Sequence, residues 1–141
     1  MSAARYHTSS EEETIALGQR LAAEILRPAL LLLIGNLGAG KTTLTKGIVQ
    51  GLGVASPDDV SSPTFTLIHE YGSAVYHVDL YRLDSAQQIA SLGLDDLFDQ
   101  NSIVMIEWGE RWRELFPAGR IEISLEATGG ERDITVERFT P

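Results

Sequence analysis

The stretch Ala29-Leu-Leu-Leu-Leu-Ile-Gly-Asn-Leu-Gly-Ala-Gly-Lys-Thr42 joins an uninterrupted apolar run to a glycine-rich loop. Such a run is typical of a strand buried on both faces, as in a parallel sheet covered by helices. The segment from Thr42 to Leu52 is predicted to be a helix, which Gly51 and Gly53 would end. A buried strand, a glycine loop and a helix in this order predict the phosphate-binding corner of an α/β domain.

The loop matches the pattern G-x-x-x-x-G-K-[S/T] at every fixed position. Its glycines let successive backbone N–H groups point inward as an anion site, which the positive end of the helix dipole strengthens. Lys41 would reach the β- and γ-phosphates of a nucleoside triphosphate, and the Thr42 hydroxyl would bind Mg²⁺, the expected cofactor. The predicted nucleotide-binding residues of this segment are Gly35, Asn36, Leu37, Gly38, Ala39, Gly40, Lys41, Thr42 and Thr43.

Two carboxylates end β-rich segments elsewhere in the chain. Glu107 follows the apolar run Ile103–Ile106, and Asp79 follows Val75–Val78. Proteins with this loop use an acid at the end of another core strand to hold Mg²⁺ or to orient water. We therefore predict that Glu107 is the metal-side acid beside Thr42, and that Asp79 either assists with Mg²⁺ or positions the attacking water. The predicted catalytic residues are Lys41, Asp79 and Glu107.

Ser62-Pro63-Thr64 lies in a loop rich in Ser, Pro and Asp. The hydroxyls of Ser62 and Thr64 are candidates for a switch that contacts the γ-phosphate or metal and orders with ATP. An ordinary turn at the start of a strand is an equally weighted interpretation. The histidines are far from metal-ligand spacing. Structural roles are therefore predicted for all three histidines, His69, His77 and His7, the last of which is expected to lie in a mobile terminus.

The rest of the pattern predicts helices and hairpins around a sheet. Ser10 to Leu26 is predicted to be a helix that begins with a capping box, and Ser85 to Leu97 is predicted to form one or two short helices broken at Gly93. Antiparallel hairpins are predicted from Phe65–Tyr71 with Ala74–Asp79, and from Ile121–Leu125 with Ile134–Val136. The predicted fold is a single P-loop NTPase-like domain over residues 1–141, with a mixed, largely parallel sheet flanked by helices.

Composition limits the partners. Eleven basic and twenty acidic residues give a formal charge of −9, so the chain alone is expected to bind nucleic acid poorly. There is no cysteine, which excludes disulfides, thiolate metal sites and a cysteine nucleophile. The N-terminus has no signal-peptide pattern and no apolar run is long enough to span a bilayer. We expect a cytoplasmic protein with no membrane partner.

Four segments together resemble the TsaE (YjeE) family in their order and spacing. They are Gly35-Asn-Leu-Gly-Ala-Gly-Lys-Thr-Thr43, Ser62-Pro-Thr-Phe-Thr66, His77-Val-Asp-Leu-Tyr-Arg82 and Ile106-Glu-Trp108. The resemblance spans about Ser10 to Arg132, and the Asp-Leu-Tyr-Arg and Glu-Trp segments are far more specific than the loop alone. This family consists of small bacterial ATPases of tRNA threonylcarbamoyladenosine (t6A) biosynthesis.

The resemblance implies roles for residues and partners. Thr42 and Glu107 would bind Mg²⁺, and Lys41 would hold phosphates. Asp79 would assist hydrolysis, and Arg132 in the late hairpin would lie near the base. The Ser-Pro-Thr segment would be the first switch region. The family acts on a TsaB–TsaD complex, in which TsaD transfers threonylcarbamoyl to an adenosine of tRNA. ATP hydrolysis, weak alone and stimulated by these partners, would reset that complex, so tRNA would be contacted only indirectly.

Two other functions fit the loop less well. A small-molecule P-loop kinase would use Asp79 to deprotonate an acceptor hydroxyl, but Arg111 and Arg113 are the only close arginine pair that could form a lid. A regulatory GTP switch would need an Asn-Lys-x-Asp guanine-binding motif, which is absent from the sequence.

Overall fold

In this computed structural model, seven strands form one sheet within the described residues, which are 2–36, 38–60, 67–99 and 101–141. The strands are β1 (Ser2–Thr8), β2 (Ala29–Ile34), β3 (Ile68–Tyr71), β4 (Val75–Asp79), β5 (Ile103–Glu107), β6 (Ile121–Thr128) and β7 (Glu131–Arg138). The α-helices of these ranges are α1 (Glu11–Ala22), α2 (Lys41–Gly51) and α3 (Ala86–Ser91). Short 3₁₀ helices span Pro57–Asp59, Leu94–Leu97 and Gly109–Leu115.

The order and directions of the strands bring the carboxyl ends of the middle strands to the glycine loop. The order is β1-β7-β6-β2-β5-β4-β3. The four middle strands β6, β2, β5 and β4 are parallel to one another, whereas β1–β7, β6–β7 and β3–β4 are antiparallel pairs. The carboxyl ends of the middle strands therefore meet at one edge, where open α/β sheets bind ligands. The predicted mixed α/β sheet with a parallel centre and antiparallel hairpins is confirmed.

Both predicted hairpins are present, with different limits. The β3–β4 hairpin is described from Leu67 onward, and positions 65 and 66 of its predicted first strand lie outside the described residues. In the β6–β7 hairpin, β6 extends beyond Leu125 to Thr128, and β7 extends beyond Ile134–Val136 in both directions. Apart from Ala127 the added residues are polar, and they are exposed or half-buried, so hydropathy alone could not show them. The short helices α3 and Leu94–Leu97 meet at Gly93, as predicted.

The prediction of a mobile terminus around His7 was wrong. Residues 2–8 form the edge strand β1, which pairs with β7 from Ser2↔Arg138 to Thr8↔Arg132. His7 lies between Asp133 and Glu131, with its ring nitrogens 2.9 and 2.7 Å from their carboxylate oxygens. An edge strand with one solvent-exposed face needs few apolar residues, and this segment therefore lacked a clear strand pattern.

Helix α1 begins as predicted and ends earlier. Ser10 accepts a hydrogen bond from the Glu13 N–H at 3.1 Å, whereas the Glu13 carboxylate accepts from Ser9 N–H at 2.7 Å. The predicted capping box is therefore only half formed, because the Glu13 carboxylate accepts from the N–H of Ser9 rather than from that of Ser10. The helix ends at Ala22 rather than Leu26, whose side chain is 81% exposed. The apolar spacing continued beyond the helix because Ile25 still packs in the core.

The sheet is covered on both faces. On one face, α1 and α2 pack on a core that includes Leu31, Leu33 and Met105. On the other face, α3 and the 3₁₀ helices Leu94–Leu97 and Gly109–Leu115 pack on Leu32, Val104 and neighbouring residues. Because both faces are buried, β2 and β5 are apolar throughout until β5 reaches Glu107. No helix within the described ranges has both the length and the apolar character required of a membrane-spanning segment.

Candidate functional site

A cleft of about 420 Å³ opens at the carboxyl edge of the middle strands. Eight of the residues predicted from sequence line it, namely Gly38, Gly40, Lys41, Thr42, Thr43, Asp79, Glu107 and Arg132. Glu11, Tyr81 and Trp108 complete the lining. The structure therefore brings together the glycine loop, the start of α2 and the ends of β4 and β5.

The loop between β2 and α2 has a backbone that requires glycine. A side chain at Gly35 would lie 2.7 Å from the Leu125 carbonyl oxygen, and Gly40 has a φ of 104°. Gly40 is also the N-cap of α2 and supplies no side chain to cap the first turn. The first N–H groups of an α-helix have no partner within the helix. These donors at α2, beside the cleft, are suited to bind an anion.

Lys41 is buried at the bottom of this cleft. Its side chain is 5% exposed, and its Nζ donates to the Gly35 carbonyl oxygen at 2.6 Å. The same Nζ lies 3.8 Å from the centre of the Trp108 ring and 4.0 Å from Glu107 Oε1. Burial lowers the pKa of Lys41, and nearby carboxylates offset part of that shift. A poorly hydrated ammonium group gains strongly from an anionic ligand.

Asp79 and Glu107 lie side by side on neighbouring strands. They are register partners in the parallel pair β4–β5, and they are 2% and 3% exposed. Asp79 Oδ1 accepts a hydrogen bond from the Tyr81 N–H at 2.9 Å. Glu107 Oε2 accepts from His77 Nε2 at 2.5 Å. Two carboxylates are thus held at the edge of the sheet that faces the loop.

The contact between His77 and Glu107 was not predicted from sequence, which assigned His77 a structural role alone. The signal that was available is the spacing of two residues between His77 and Asp79. Residues at that spacing in a strand share a face, so His77 lies on the side of β4 that carries Asp79. The parallel register of β4 and β5, which the sequence does not show, then puts Glu107 within reach of His77.

Arg132, the second residue of β7, reaches the glycine loop from beside the turn of the β6–β7 hairpin. Its Nη1 donates to the carbonyl oxygens of Gly129 and Glu131 at 3.1 and 3.0 Å, and its Nη2 is 3.5 Å from the Gly38 carbonyl oxygen. The guanidinium group is therefore placed over the loop, at the mouth of the cleft.

Two aromatic rings form a wall of the cleft. Tyr81 and Trp108 lie with their ring centres 5.1 Å apart, and Trp108 has a φ of 66°. Glu11, the first residue of α1, was not predicted because nothing in its local sequence relates that helix to the loop.

Of the remaining predicted residues, Gly35, Asn36 and Ala39 are described and do not line the cleft. Asn36 is exposed beside the loop, and Ala39 is packed in the core beneath it, where its N–H donates to the Asn36 carbonyl oxygen at 3.0 Å. Leu37 of the loop and the switch candidates Ser62 and Thr64 lie outside the described residues. Within the described ranges, no cluster of three or more His, Asp or Glu side chains forms a complete metal site.

Comparison with known proteins relates this architecture to one family. The family model described as "Threonylcarbamoyl adenosine biosynthesis protein TsaE" matches residues 8–134. A tRNA threonylcarbamoyladenosine biosynthesis protein TsaE from Bacillus subtilis is 40% identical over 135 residues, which are 93% of this chain and 83% of the relative. The protein of the same name from Haemophilus influenzae is 41% identical over 108 residues, 74% of this chain and 67% of the relative.

A solved structure gives the same relation. The crystal structure of Bacillus subtilis YdiB superposes with a TM-score of 0.78 and 34% sequence identity, over 98% of this chain and 86% of that one. The family match, the identity to curated relatives and the shared fold agree across nearly the whole length. This chain belongs to the TsaE family of threonylcarbamoyl adenosine biosynthesis proteins.

Proposed function

We propose that this chain binds ATP with Mg²⁺ in the cleft and hydrolyses it, as the ATPase subunit of tRNA threonylcarbamoyladenosine formation. One arrangement carries the proposal. A buried ammonium group, Lys41, and the uncapped start of α2 share a cleft with the carboxylates of Asp79 and Glu107. Phosphate binding and acid-assisted phosphoryl transfer need these groups together.

The charges of the cleft favour a polyphosphate that arrives with a divalent cation. The lining holds the cations Lys41 and Arg132 against the three carboxylates of Glu11, Asp79 and Glu107. Those carboxylates would weaken the binding of a free polyphosphate more than that of a polyphosphate paired with a divalent cation. The balance of charge therefore supports a metal complex of the nucleotide as the ligand.

The donor set suits Mg²⁺. This ion prefers oxygen ligands and is held by one or two carboxylates with substrate phosphates. Thr42 and Glu107 would hold it, because a hydroxyl and a carboxylate of the cleft supply such oxygens. When bound, Mg²⁺ would neutralise charge on the β- and γ-phosphates.

The chain's own groups would divide the rest of the work. The N–H groups of the loop and of α2 would bind the phosphates, and Lys41 would contact the β- and γ-phosphates. Asp79, anchored by the Tyr81 N–H, would position a water molecule for attack on the γ-phosphorus. A bond from water oxygen to phosphorus forms as the bond to the β-phosphate oxygen breaks, releasing ADP and phosphate.

The proposed partner is a TsaB–TsaD complex. Membership of the family places the chain in t6A biosynthesis. With a formal charge of −9, the chain is a poor candidate to hold tRNA directly. We therefore propose that tRNA is contacted by the partner and that ATP hydrolysis resets the partner between turnovers.

A small-molecule kinase remains the alternative, and the arginines argue against it. Arg111 Nη2 donates to the carbonyl oxygens of Leu80 and Leu83 at 2.8 and 3.0 Å. Arg113 donates to the Glu122 carboxylate at 3.1 Å. Neither guanidinium lines the cleft, so this arginine pair does not form a lid over a transferred phosphate.

Titration calorimetry with Mg·ATP tests the proposal directly. We expect heat of binding for Mg·ATP and a weaker response to Mg·GTP. Phosphate release should be slow for the chain alone and should rise when the TsaB–TsaD pair is added. Absence of heat at millimolar Mg·ATP would refute the site. A rate of phosphate release that is unchanged when both partners are added would refute the partner role. Formation of a phosphorylated acceptor that depends on ATP would support the kinase.

Glu107→Gln tests the metal-side acid with little change in shape. We expect hydrolysis to fall roughly 100-fold or more, because a catalytic metal ion contributes several kcal/mol of charge stabilisation. Binding of ATP in EDTA should be retained, since Lys41 and the loop are unchanged. Parallel measurements of phosphate release and of ATP binding across a Mg²⁺ titration check this. Normal hydrolysis by Glu107→Gln would show that the metal assignment is wrong.

A further inference from the structure

His77 occupies a position where an apolar side chain would be ordinary. It lies within β4, it is 0% exposed, and its neighbours two residues away in the strand are Val75 and Asp79. Its register partner on β5 is Met105, which is also fully buried. An imidazole at such a position loses hydration that only good hydrogen bonds recover.

The two ring nitrogens of His77 differ in their hydrogen bonding. Nε2 lies 2.5 Å from Glu107 Oε2. Among the described residues, the buried Nδ1 has no hydrogen-bond partner. A buried nitrogen without a partner costs about 1–3 kcal/mol. The ring is therefore poorly explained by stability alone, and its one strong contact is with the proposed metal-side carboxylate.

The two oxygens of Glu107 face different groups. Oε2 accepts from His77, and Oε1 is 4.0 Å from the Lys41 ammonium at the bottom of the cleft. The two oxygens of a carboxylate are equivalent, but a carboxylate free to rotate about its last torsion would sample many orientations relative to the cleft, because that torsion is broad. The bond from His77 removes this freedom and leaves Oε1 towards the cleft.

We infer that His77 is a positioning residue that holds the Glu107 carboxylate in the orientation in which it serves the metal of Mg·ATP. The inference rests on the proposed function and adds a residue to it. Groups that hydrogen-bond a metal-binding side chain fix its orientation, and their loss costs about 10–100-fold in metal affinity or activity. His77 itself touches neither nucleotide nor metal in this assignment.

The test compares substitutions that remove or keep a donor at this point. His77→Leu and His77→Met remove the N–H, and His77→Gln keeps one near the position of Nε2. We measure ATP binding calorimetrically in EDTA and across a Mg²⁺ titration, then kcat and KM at saturating Mg²⁺. We expect the donor-free variants to need about tenfold more Mg²⁺ and to lose kcat. Their binding in EDTA and their KM should stay unchanged, and His77→Gln should recover part of both losses.

His69→Leu is the matched control. His69 is the register partner of His77 across the β3–β4 hairpin, and its Nδ1 lies 3.3 Å from the Tyr71 hydroxyl rather than near Glu107. This variant should keep the wild-type Mg²⁺ requirement. A merely structural role for His77 would instead lower binding with and without Mg²⁺ alike.

The outcomes separate this inference from the proposed function. If the wild-type chain binds no Mg·ATP, the proposed function fails and the inference falls with it. If wild type binds and the donor-free variants show an unchanged Mg²⁺ requirement, the inference alone is overturned. If circular dichroism shows that neither donor-free variant folds, His77→Gln decides. A Mg²⁺ requirement of His77→Gln raised less than about tenfold supports the inference, and one raised about tenfold or more refutes it.

Discussion

Lys41→Met is expected to weaken Mg·ATP binding by about 100-fold. The substitution keeps the aliphatic stem and removes the ammonium group. Hydrogen bonds to charged groups contribute up to about 3 kcal/mol, which corresponds to roughly a factor of 100 in Kd. The effect should be near this upper limit because Lys41 is 5% exposed and water cannot replace the lost group. Calorimetric titration of both proteins with Mg·ATP measures the change.

The nucleotide series sharpens this prediction. Lys41 is assigned to the β- and γ-phosphates, so the loss should be large for ATP and small for AMP. Lys46→Met, in the same helix but outside the lining of the cleft, is the matched control and should bind ATP as wild type does. Equal losses for ATP and AMP would point to general damage of the loop. An unchanged Kd for ATP would remove Lys41 from the site.

The sequence predicted those parts of the molecule that local pattern determines. The apolar run of β2, the glycine loop and α2 are contiguous. A strand buried on both faces requires apolar residues and the loop requires glycine, so few other residues could stand there. Glu107 was placed at the carboxyl edge of the sheet because β5 is apolar up to that residue. The family relation was predicted from four segments and is confirmed by the match over residues 8–134.

Other parts depend on pairing between distant segments. The contact of His77 with Glu107 needs the register of β4 against β5, and a shift of one residue would turn His77 to the other face. The strand β1 is stabilised by its partner β7 rather than by its own apolar pattern. Arg132 was assigned through family resemblance, since no local feature of the β6–β7 turn relates it to the loop. Non-local geometry of this kind is not encoded in spacing along the chain.

The close approach of α1 and α2 is another feature that spacing did not show. The two helices touch at glycines, with Gly18 of α1 against Gly47 of α2. A side-chain carbon at Gly18 would lie 2.6 Å from the Leu44 carbonyl oxygen and 2.8 Å from the Ile48 nitrogen. One at Gly47 would overlap the Ile15 carbonyl oxygen. Backbone meets backbone here, so no rotamer change can relieve the overlap.

Gly47→Ala should therefore destabilise the protein, although alanine favours an exposed helix by about 1 kcal/mol over glycine. Overpacking of a tight contact costs typically 1–3 kcal/mol and occasionally more, so we expect a net loss of about 2 kcal/mol. Calorimetric or circular-dichroism melting should show a Tm lower by roughly 4–8 °C. Gly130→Ala is the matched control, because its new carbon would meet no atom within 4 Å and its φ is not left-handed.

The same substitution connects packing to the cleft. Helix α2 begins at Lys41, and its first residues Lys41, Thr42 and Thr43 line the cleft. Gly47 follows only a few residues later in the same helix. If α1 pushes α2 away, these groups move relative to Asp79 and Glu107, which are fixed in the sheet. Gly47→Ala should then weaken Mg·ATP binding as well as lower Tm, measured well below the new Tm. A variant as stable as wild type would show that the helices are further apart than described. A lower Tm with unchanged affinity would show that the start of α2 is held by the loop and not by α1.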